Sequence, residues 1–404
     1  MDTNGTTRSL RKFQTLVVAV VLAITTGCAT AQPAPTPTLV PPLPTAVPAT
    51  ATAVPATPTS PPARGTIEQG TITSAALAHN LIGDPATRTY HVYLPPGYDT
   101  SGQRYPVVYV LQGMDPETCV PINWVTGGGG AFPAIPTYMD YLLGTGAVKP
   151  MILVFPDATN AFGFPVYMSS PTLGDYDTYI TKELVAQIDS TYRTLPTPAS
   201  RGIMGGVVRE AGALHLALEH PDVFGVSASI NPMLSLPNDP MAQFAAGYIK
   251  ALPQTLADLP SEANPCEPFG HYYAQAAAAA SDPGKPPLYI DMPFKMVNGK
   301  GEIDPAVFAK IDAAFDVASD AHRYASQSAR LNGLLIYFDT DPHSFDVGYE
   351  PAGYNTLMIS AYRSYGQLLT QLGINHDLVE YQGDASTLDL SVPLKFISAH
   401  LAFQ

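Results

Sequence analysis

The chain has 404 residues, of which 46% are hydrophobic, so it can bury a sizeable core in one domain or at most two. Its formal net charge is −14, and its 20 basic residues are scattered. Nucleic acid is therefore not an expected partner, because phosphates call for a basic face. Acidity of this kind usually indicates only solubility.

The first 28 residues are typical of an export signal. Arg8, Arg11 and Lys12 precede an apolar run at residues 16–24, which is too short to span a bilayer but suits a signal-peptide core. The run ends in Thr-Thr-Gly-Cys at residues 25–28, which resembles a bacterial lipobox with Thr25 in place of the usual leucine. We expect lipidation of Cys28, which would hold the protein at the outer face of a bacterial membrane. The alternative is ordinary signal-peptide cleavage and a secreted protein.

A low-complexity segment follows. Residues 29–64 are rich in Pro, Thr and Ala and carry no charge before Arg64. Such a composition cannot bury a core and favours extended polyproline II, which would span roughly 110 Å at about 3.1 Å per residue. We predict a disordered linker between the anchor and a folded domain at residues 65–404.

Two further cysteines, Cys119 and Cys266, lie in loop-like, proline-containing stretches. Outside the cytoplasm they could form a disulfide, but the sequence does not give their separation, so paired and free thiols both remain open. Two cysteines without a histidine cluster do not indicate a metal site, and no cofactor is expected.

Strands and helices alternate from about residue 66 onwards. Apolar runs predict strands at residues 88–94, 106–111, 151–155, 203–204, 226–230, 334–338 and 378–381. Helical periodicity predicts helices at residues 176–192, 211–220, 305–318, 354–372 and 391–402. This alternation implies an α/β domain with a mainly parallel sheet covered by helices on both faces. Function in such sheets gathers at the carboxyl ends of the strands.

One strand, turn and helix in this series has the outline of a nucleophile elbow, G-x-S-x-G, in which small residues let a strained turn lift a serine above the sheet. The five positions here are Gly205, Gly206, Val207, Val208 and Arg209. Valine has no nucleophilic atom, and its β-branched side chain resists the positive φ of such a turn. We therefore predict a relaxed turn without a nucleophile.

Residues 231–333 form a long insertion between two predicted strands. We expect it to form a helical cap over the cleft. Together with Trp124, Gly127–Gly130 and Phe132 it could line an apolar pocket. The alternative is that these aromatic residues only pack the cap on the core.

Five segments together resemble the esterase D family of α/β hydrolases, which includes feruloyl esterases, enterochelin esterases and mycolyltransferases. The segments are HVYLPPGYD at 91–99, RYPVVYVLQG at 104–113, PMILVFPDA at 150–158, YITKELVAQIDSTYRT at 179–194 and ALHLALEHPDVFG at 213–225. The resemblance implies an α/β-hydrolase fold and acyl transfer through Ser, Asp and His in that chain order.

Carried over residue by residue, the family's triad is largely absent. The serine position falls on Val207. The histidine of the family's G-G-H pattern falls on Ala385, since Gly383, Asp384 and Ala385 occupy that stretch. The acid matches Asp341 if one deletion is allowed, and an ungapped match lands on Ser344. We favour Asp341 as a retained acid, although an aspartate in a loop is often only a turn residue.

The family's oxyanion hole is built from backbone N–H groups, which survive any side-chain change. The resemblance places it after Gln112 and Gly113 and at Val208, where a small ester or carboxylate could still bind. Arg209 could draw an anion into the cleft, or it could pair with Glu210 or point to water.

Other residues could replace the triad. His343, on the acid loop, is the best spare base. The more distant candidates are His376 before the last strand, His215 and His220 on the helix after the elbow, and Ser169 and Ser170, which lie on no elbow.

Two function classes follow from the sequence. The first is a catalytically inactive pseudo-esterase that acts as a binding or interaction module. The second is an active carboxylic ester hydrolase of the serine-esterase type that uses non-standard residues. The first is favoured, because both the nucleophile and the base are absent.

Overall fold

The computed structural model describes residues 63–113, 122–127, 134–206, 212–232, 234, 236, 239–259, 270–340, 353–382 and 388–403. Several residues for which the sequence makes predictions lie outside these ranges: Val207, Val208, Arg209, Asp341, His343, Ala385 and all three cysteines.

Ten strands are present in the described part of the chain. They are β1 (Thr66–Thr73), β2 (Thr87–Leu94), β3 (Val107–Val110), β4 (Ile152–Pro156), β5 (Arg201–Gly206), β6 (Val226–Ile230), β7 (Phe294–Val297), β8 (Lys300–Ile303), β9 (Gly333–Asp339) and β10 (Asp377–Tyr381). Eight of them form one sheet in the order β1-β2-β4-β3-β5-β6-β9-β10, and β7 pairs with β8 in a separate hairpin.

The sheet is parallel from β4 to β10 and antiparallel at the β1-β2 end. Every residue of β3, β4, β5, β6 and β9 is buried. Full burial explains why β3, β4 and most of β9 are apolar runs instead of alternating patterns, since helices cover both of their faces. The predicted mainly parallel sheet is confirmed.

Eleven α-helices lie in the described residues. They are α1 (Tyr98–Ser101), α2 (Ile135–Gly144), α3 (Tyr176–Thr178), α4 (Val185–Thr191), α5 (Gly212–Glu219), α6 (Pro240–Tyr248), α7 (Gly270–Ala279), α8 (Pro305–Ala314), α9 (Val317–Ser326), α10 (Tyr354–Gln371) and α11 (Ser391–His400). A π-helical segment, Tyr179–Leu184, joins α3 to α4. The helix predicted at 176–192 is therefore continuous, with π-helical geometry in its central part.

Two layers of helices sandwich the sheet. On one face α2 and α11 pack on inward-pointing strand residues such as Val108 and Leu153. On the other face the strands pack against α4, α5 and helices of the insertion, with Tyr109 and Ile203 in the same cluster as Met241 and Tyr272.

The insertion between β6 and β9 holds α6, α7, the β7-β8 hairpin, α8 and α9. It is attached to the body of the domain by hydrogen bonds from Ser170 Oγ to the carbonyl of Ala277 (2.6 Å) and from Thr172 Oγ1 to the carbonyl of Tyr289 (2.6 Å).

The single helix predicted at residues 305–318 is wrong. The structure has two helices, because α8 ends at Ala314 and Asp316 caps α9 by accepting a hydrogen bond from the N–H of Ala318 (3.0 Å). Between them Phe315 has φ −100° and ψ 20°, outside helical geometry. Aspartate is a strong N-cap, and this capping preference overrides the apolar periodicity that continues through the break.

Candidate functional site

The described flanks of the elbow have the close packing that this turn requires. β5 ends at Gly206 and α5 begins at Gly212. Gly206 has φ 122°, and a Cβ atom there would lie 1.9 Å from the carbonyl oxygen of Ile230. A Cβ atom on Gly212 would lie 2.4 Å from the ring of Tyr167. Both positions therefore require glycine.

Val207, Val208 and Arg209, with Glu210 and Ala211, connect these two glycines and lie outside the described residues. The predictions of a relaxed turn and of a lost nucleophile at Val207 remain predictions from the sequence.

The loop after β3 lies beside the elbow, because β3 pairs with β5 and Val110 is opposite Met204. Gln112 is held in this loop from two sides. Its side-chain Oε1 accepts a hydrogen bond from the N–H of Ala158 (3.1 Å), and its carbonyl accepts one from Tyr167 Oη (3.2 Å). The Gln112 side chain therefore ties this loop to the loop after β4.

Two further contacts fix the same loop. The carbonyl of Gly113 accepts a hydrogen bond from the N–H of Ile122 (2.8 Å), and the carbonyl of Leu111 accepts one from Trp124 Nε1 (3.0 Å). Trp124 is only 2% exposed and packs in the core on the α2 side of the sheet. For Trp124 this supports the core-packing alternative; Gly128–Gly130 and Phe132 lie outside the described residues.

A polar cluster that the sequence did not reveal joins the carboxyl ends of β6, β9 and β10. Asn231, directly after β6, has φ 41° and donates through Nδ2 to Tyr381 Oη (3.0 Å). Its Oδ1 accepts a hydrogen bond from the N–H of Asp339 (2.8 Å). Thr340 donates from both N and Oγ1 to the carbonyl of Tyr381 (2.8 and 2.9 Å). The only sequence signal for this cluster was an asparagine immediately after a strand, a residue type that tolerates a left-handed backbone.

The acid loop begins at this cluster. Asp339, the last residue of β9, is 4% exposed and places a carboxylate at the edge where the family has its acid. The predicted acid Asp341, its ungapped alternative Ser344 and the spare base His343 follow within a few residues, outside the described part of the chain. Ala385, in the loop between β10 and α11, also lies outside it.

Each of the three candidate histidines on described elements lies within 3 Å of a carboxylate or carbonyl oxygen. His215 Nδ1 lies 2.8 Å from Asp320 Oδ2, and His220 Nε2 lies 2.7 Å from Asp177 Oδ2. His376 is at the amino end of β10, as predicted, where its Nδ1 lies 2.9 Å from the carbonyl of Ile374. The hydrogen bond to Asp177 raises the pKa of His220, with smaller contributions from neighbouring carboxylates, against the opposing effect of burial.

The two candidate serines also have structural partners. Ser169 Oγ donates to Asp175 Oδ1 (2.5 Å), and Ser170 Oγ donates to the carbonyl of Ala277. The acceptor of Ser170 is a carbonyl, which cannot take its proton, and the acceptor of Ser169 is the carboxylate that caps α3.

Within the described ranges, no group of three or more His, Cys, Asp or Glu side chains has the arrangement of a metal site. In the same ranges no helix is both long enough and apolar enough to cross a bilayer. The signal-like segment at residues 16–24 is outside them.

Comparison with protein families gives one match that spans most of the chain: residues 85–391 match the family described as "Putative esterase". None of the curated proteins compared matches the chain.

Solved structures with the same fold include a ferulic acid esterase, which is 17% identical, with a TM-score of 0.52 over 84% of this chain and 100% of the other. An S-formylglutathione hydrolase from Agrobacterium tumefaciens is 15% identical, with a TM-score of 0.45 over 84% and 96% of the two chains. MPT51 (FbpC1) from Mycobacterium tuberculosis is 16% identical, with a TM-score of 0.46 over 83% and 99%. At 17% identity the likeness to the ferulic acid esterase shows the α/β-hydrolase fold alone.

Proposed function

Because this chain belongs to the esterase family of α/β hydrolases, we propose that it is an exported pseudo-esterase, which binds a ligand in the family's cleft without cleaving it. The observation that carries the proposal is Val207, which stands where the family has its nucleophile, between the described glycine-dependent strand end and the helix that follows.

The chemistry of the family requires more than the fold. Acyl transfer needs an oxygen or sulfur nucleophile and a base that takes its proton. Val207 supplies no such atom, and Ala385 supplies no base. One retained acid, such as Asp341, would have no histidine to orient. Loss at two separate chain positions argues more strongly against catalysis than a change at one of them.

A binding role is compatible with the same changes. The oxyanion hole of such enzymes uses backbone N–H groups, and the loop that carries Gln112 and Gly113 is fixed by four hydrogen bonds to its neighbours. A small ester or carboxylate is the ligand class that such donors favour. Arg209, on the turn itself, would add a positive charge for a carboxylate.

The proposed location is the outer face of a bacterial cell envelope. Cys28 at the end of a signal-like segment would carry the lipid, and residues 29–64 would form the linker. The full-length chain would then be held at the membrane by the lipid and would meet its ligand outside the cytoplasm.

The test uses the purified full-length protein in detergent. We expect no cleavage of short p-nitrophenyl esters above background and no labelling by a fluorophosphonate probe, since no activated serine is present. Stoichiometric labelling that maps to a single serine would establish the alternative, an ester hydrolase that works with non-standard residues such as His343.

A repaired variant is the positive control. Val207→Ser combined with Arg209→Gly and Ala385→His restores the residue types of the family's elbow and base. We expect weak but measurable esterase activity and one labelled serine in this variant. A folded triple variant that neither labels nor hydrolyses would show that this site has lost more than its nucleophile and base.

A further inference from the structure

A cavity lies within the insertion, between α7, α8 and the first residue of α10. We call it the insertion cavity; among its lining residues are Asp239, Tyr272, Phe308, Asp312, Phe315 and Tyr354. Its volume is about 30 Å³, and it opens to solvent on one side. A buried water needs roughly 10 to 15 Å³ on this scale, so the space suits about two waters or one compact polar group such as an ammonium.

Four Phe and Tyr rings contribute to the walls of the insertion cavity. Tyr272 and Phe308 are almost completely buried, and their ring centroids are 5.3 Å apart. Phe315, in the break after α8, and Tyr354, at the start of α10, add two more rings. Aromatic faces are electron-rich, and they attract a cation that has been removed from water.

Two lining residues of the insertion cavity are acidic, and a third, His271, is an imidazole. Asp239 and Asp312 contribute carboxylates, and no lysine or arginine is among the described residues that line it. Asp239 is oriented by two hydrogen bonds, which it accepts from the N–H of Met241 (2.9 Å) and from Tyr272 Oη (2.7 Å). Lys310, on α8, pairs instead with Asp291 (2.6 Å) on the hairpin side. A carboxylate held in an aromatic recess favours a cation and disfavours an anion.

We propose that the insertion cavity binds the primary ammonium group of a small ligand. The proposal deepens the binding function proposed above and rests on it for the use of the site, because Leu234 follows β6 and Tyr354 follows the acid loop, so the cavity lies at the carboxyl edge of the sheet. The ammonium would sit between the aromatic rings and the carboxylates, and the rest of the ligand would extend through the open side.

Phe315 sets the length of the ligand that can be accommodated. It lines the insertion cavity and also a second cavity of about 10 Å³, whose lining includes Tyr167, Gly212 and His215. This second cavity reaches the start of α5, beside the elbow. The break between α8 and α9 therefore places one aromatic side chain between two recesses.

The first experiment compares three probes of nearly equal shape: n-butylammonium, n-butanol and butyrate, each titrated into the full-length protein at equal ionic strength near neutral pH. We expect saturable binding of butylammonium by calorimetry, together with a rise in the thermal unfolding midpoint, and neither effect for the other two probes. Butanol or butyrate binding as tightly as butylammonium would overturn the proposal, as would no binding of butylammonium.

The variant Asp239→Asn/Asp312→Asn removes both charges from the insertion cavity. Asparagine at position 239 keeps a good N-cap for α6, so the fold is expected to survive, and the unfolding midpoint without ligand checks this. We expect the dissociation constant for butylammonium to rise at least about tenfold. The matched control is Glu302→Gln, which removes one exposed charge from β8 of the same insertion and should leave binding unchanged. If butylammonium binding is weakened equally in both variants, binding depends only on the net charge of the protein and not on the two carboxylates of the cavity.

Phe315→Ala joins the two cavities and should extend the accepted chain. We expect this variant to bind n-hexylammonium more tightly than the native chain does, with little change for butylammonium. No gain for the longer probe would contradict the separating role of Phe315. These readouts are independent of ester hydrolysis, so an active esterase that still binds butylammonium would refute the proposed loss of catalysis and leave the ammonium site standing.

Discussion

At the scale of single residues, Gly206 and Asn231 are the two described positions where the backbone at the carboxyl edge departs from ordinary strand geometry. Gly206 has φ 122° and Asn231 has φ 41°. They are neighbours in the sheet, because Gly206 pairs with Ile230. Unusual backbone held by its surroundings tends to collect at functional sites, and both residues flank the turn that carries Val207.

Gly206→Ala should destabilise the fold strongly. Its φ is unfavourable for alanine, and the new Cβ atom would lie 1.9 Å from the Ile230 carbonyl, so the free energy of unfolding should fall by at least about 2 kcal/mol. Urea unfolding measures this. The control is Gly247→Ala inside α6, where the Cβ atom meets nothing within 4 Å and alanine should be neutral or stabilising by up to about 1 kcal/mol. A loss at Gly206 no larger than at Gly247 would contradict the assignment.

At the scale of elements, α5 is fixed to the rest of the domain by polar side-chain pairs from two sides. His215 and Glu219 bind the insertion through Asp320 and Arg323 (2.8 and 2.7 Å). His220, just after α5, binds Asp177 of α3 (2.7 Å). The helix that follows the elbow is thus held at its far end, and the pair with α3 gives it a pH dependence.

The contribution of the His220–Asp177 pair to the free energy of unfolding should decline at alkaline pH. Because the pKa of His220 in the folded protein is raised above the ordinary 6.5, its stabilisation is fully present below about pH 6.5 and is lost as the pH rises through the raised pKa. The difference in unfolding free energy between the native chain and His220→Asn should therefore shrink from pH 6 to pH 9. Urea unfolding at several pH values, repeated with Asp177→Asn and the double variant, isolates the pair. A difference in unfolding free energy that grows with pH would mean that folding lowers the pKa of His220.

At the scale of the whole molecule, the candidate site and the start of the described domain lie at opposite edges of the sheet. Thr66 pairs with Leu94, at the amino edge of the parallel strands, and the N–H of Gly65 donates to Asp140 Oδ1 (2.8 Å). Gln112, Gly206 and Asp339 lie at the carboxyl edge. The described domain therefore begins on the side away from the proposed cleft.

The proposed anchor is tested at Cys28. Expressed in a bacterial host, the full-length protein should fractionate with membranes and be released only by detergent, whereas Cys28→Ser should lose this retention, because its only proposed hydrophobic attachment is the lipid. Mass spectrometry of the mature N-terminus provides the second reading. An unmodified N-terminus in the native chain would indicate ordinary cleavage and secretion.

The strands that the sequence predicted best are the buried ones, whose apolar runs leave no other interpretation. β1 was missed because it is an edge strand with mostly exposed residues, TIEQGTIT, and offers neither an apolar run nor a clear alternation. The break between α8 and α9 was missed because apolar periodicity continues across Phe315. For the candidate site, the sequence indicated the elbow glycines and the Gln112 loop but not the Asn231 cluster.

The sequence by itself determined the esterase-like fold and the residue types at the elbow, because both depend on patterns within short segments: apolar runs, glycine spacing and the absence of a nucleophilic atom at Val207. Only the tertiary structure decided which polar groups meet. Asn231 reaches Tyr381 across 150 positions of chain, and Asp239 reaches Tyr272 across 33. Such contacts depend on how strands and helices pack against one another, and local sequence patterns do not predict that packing.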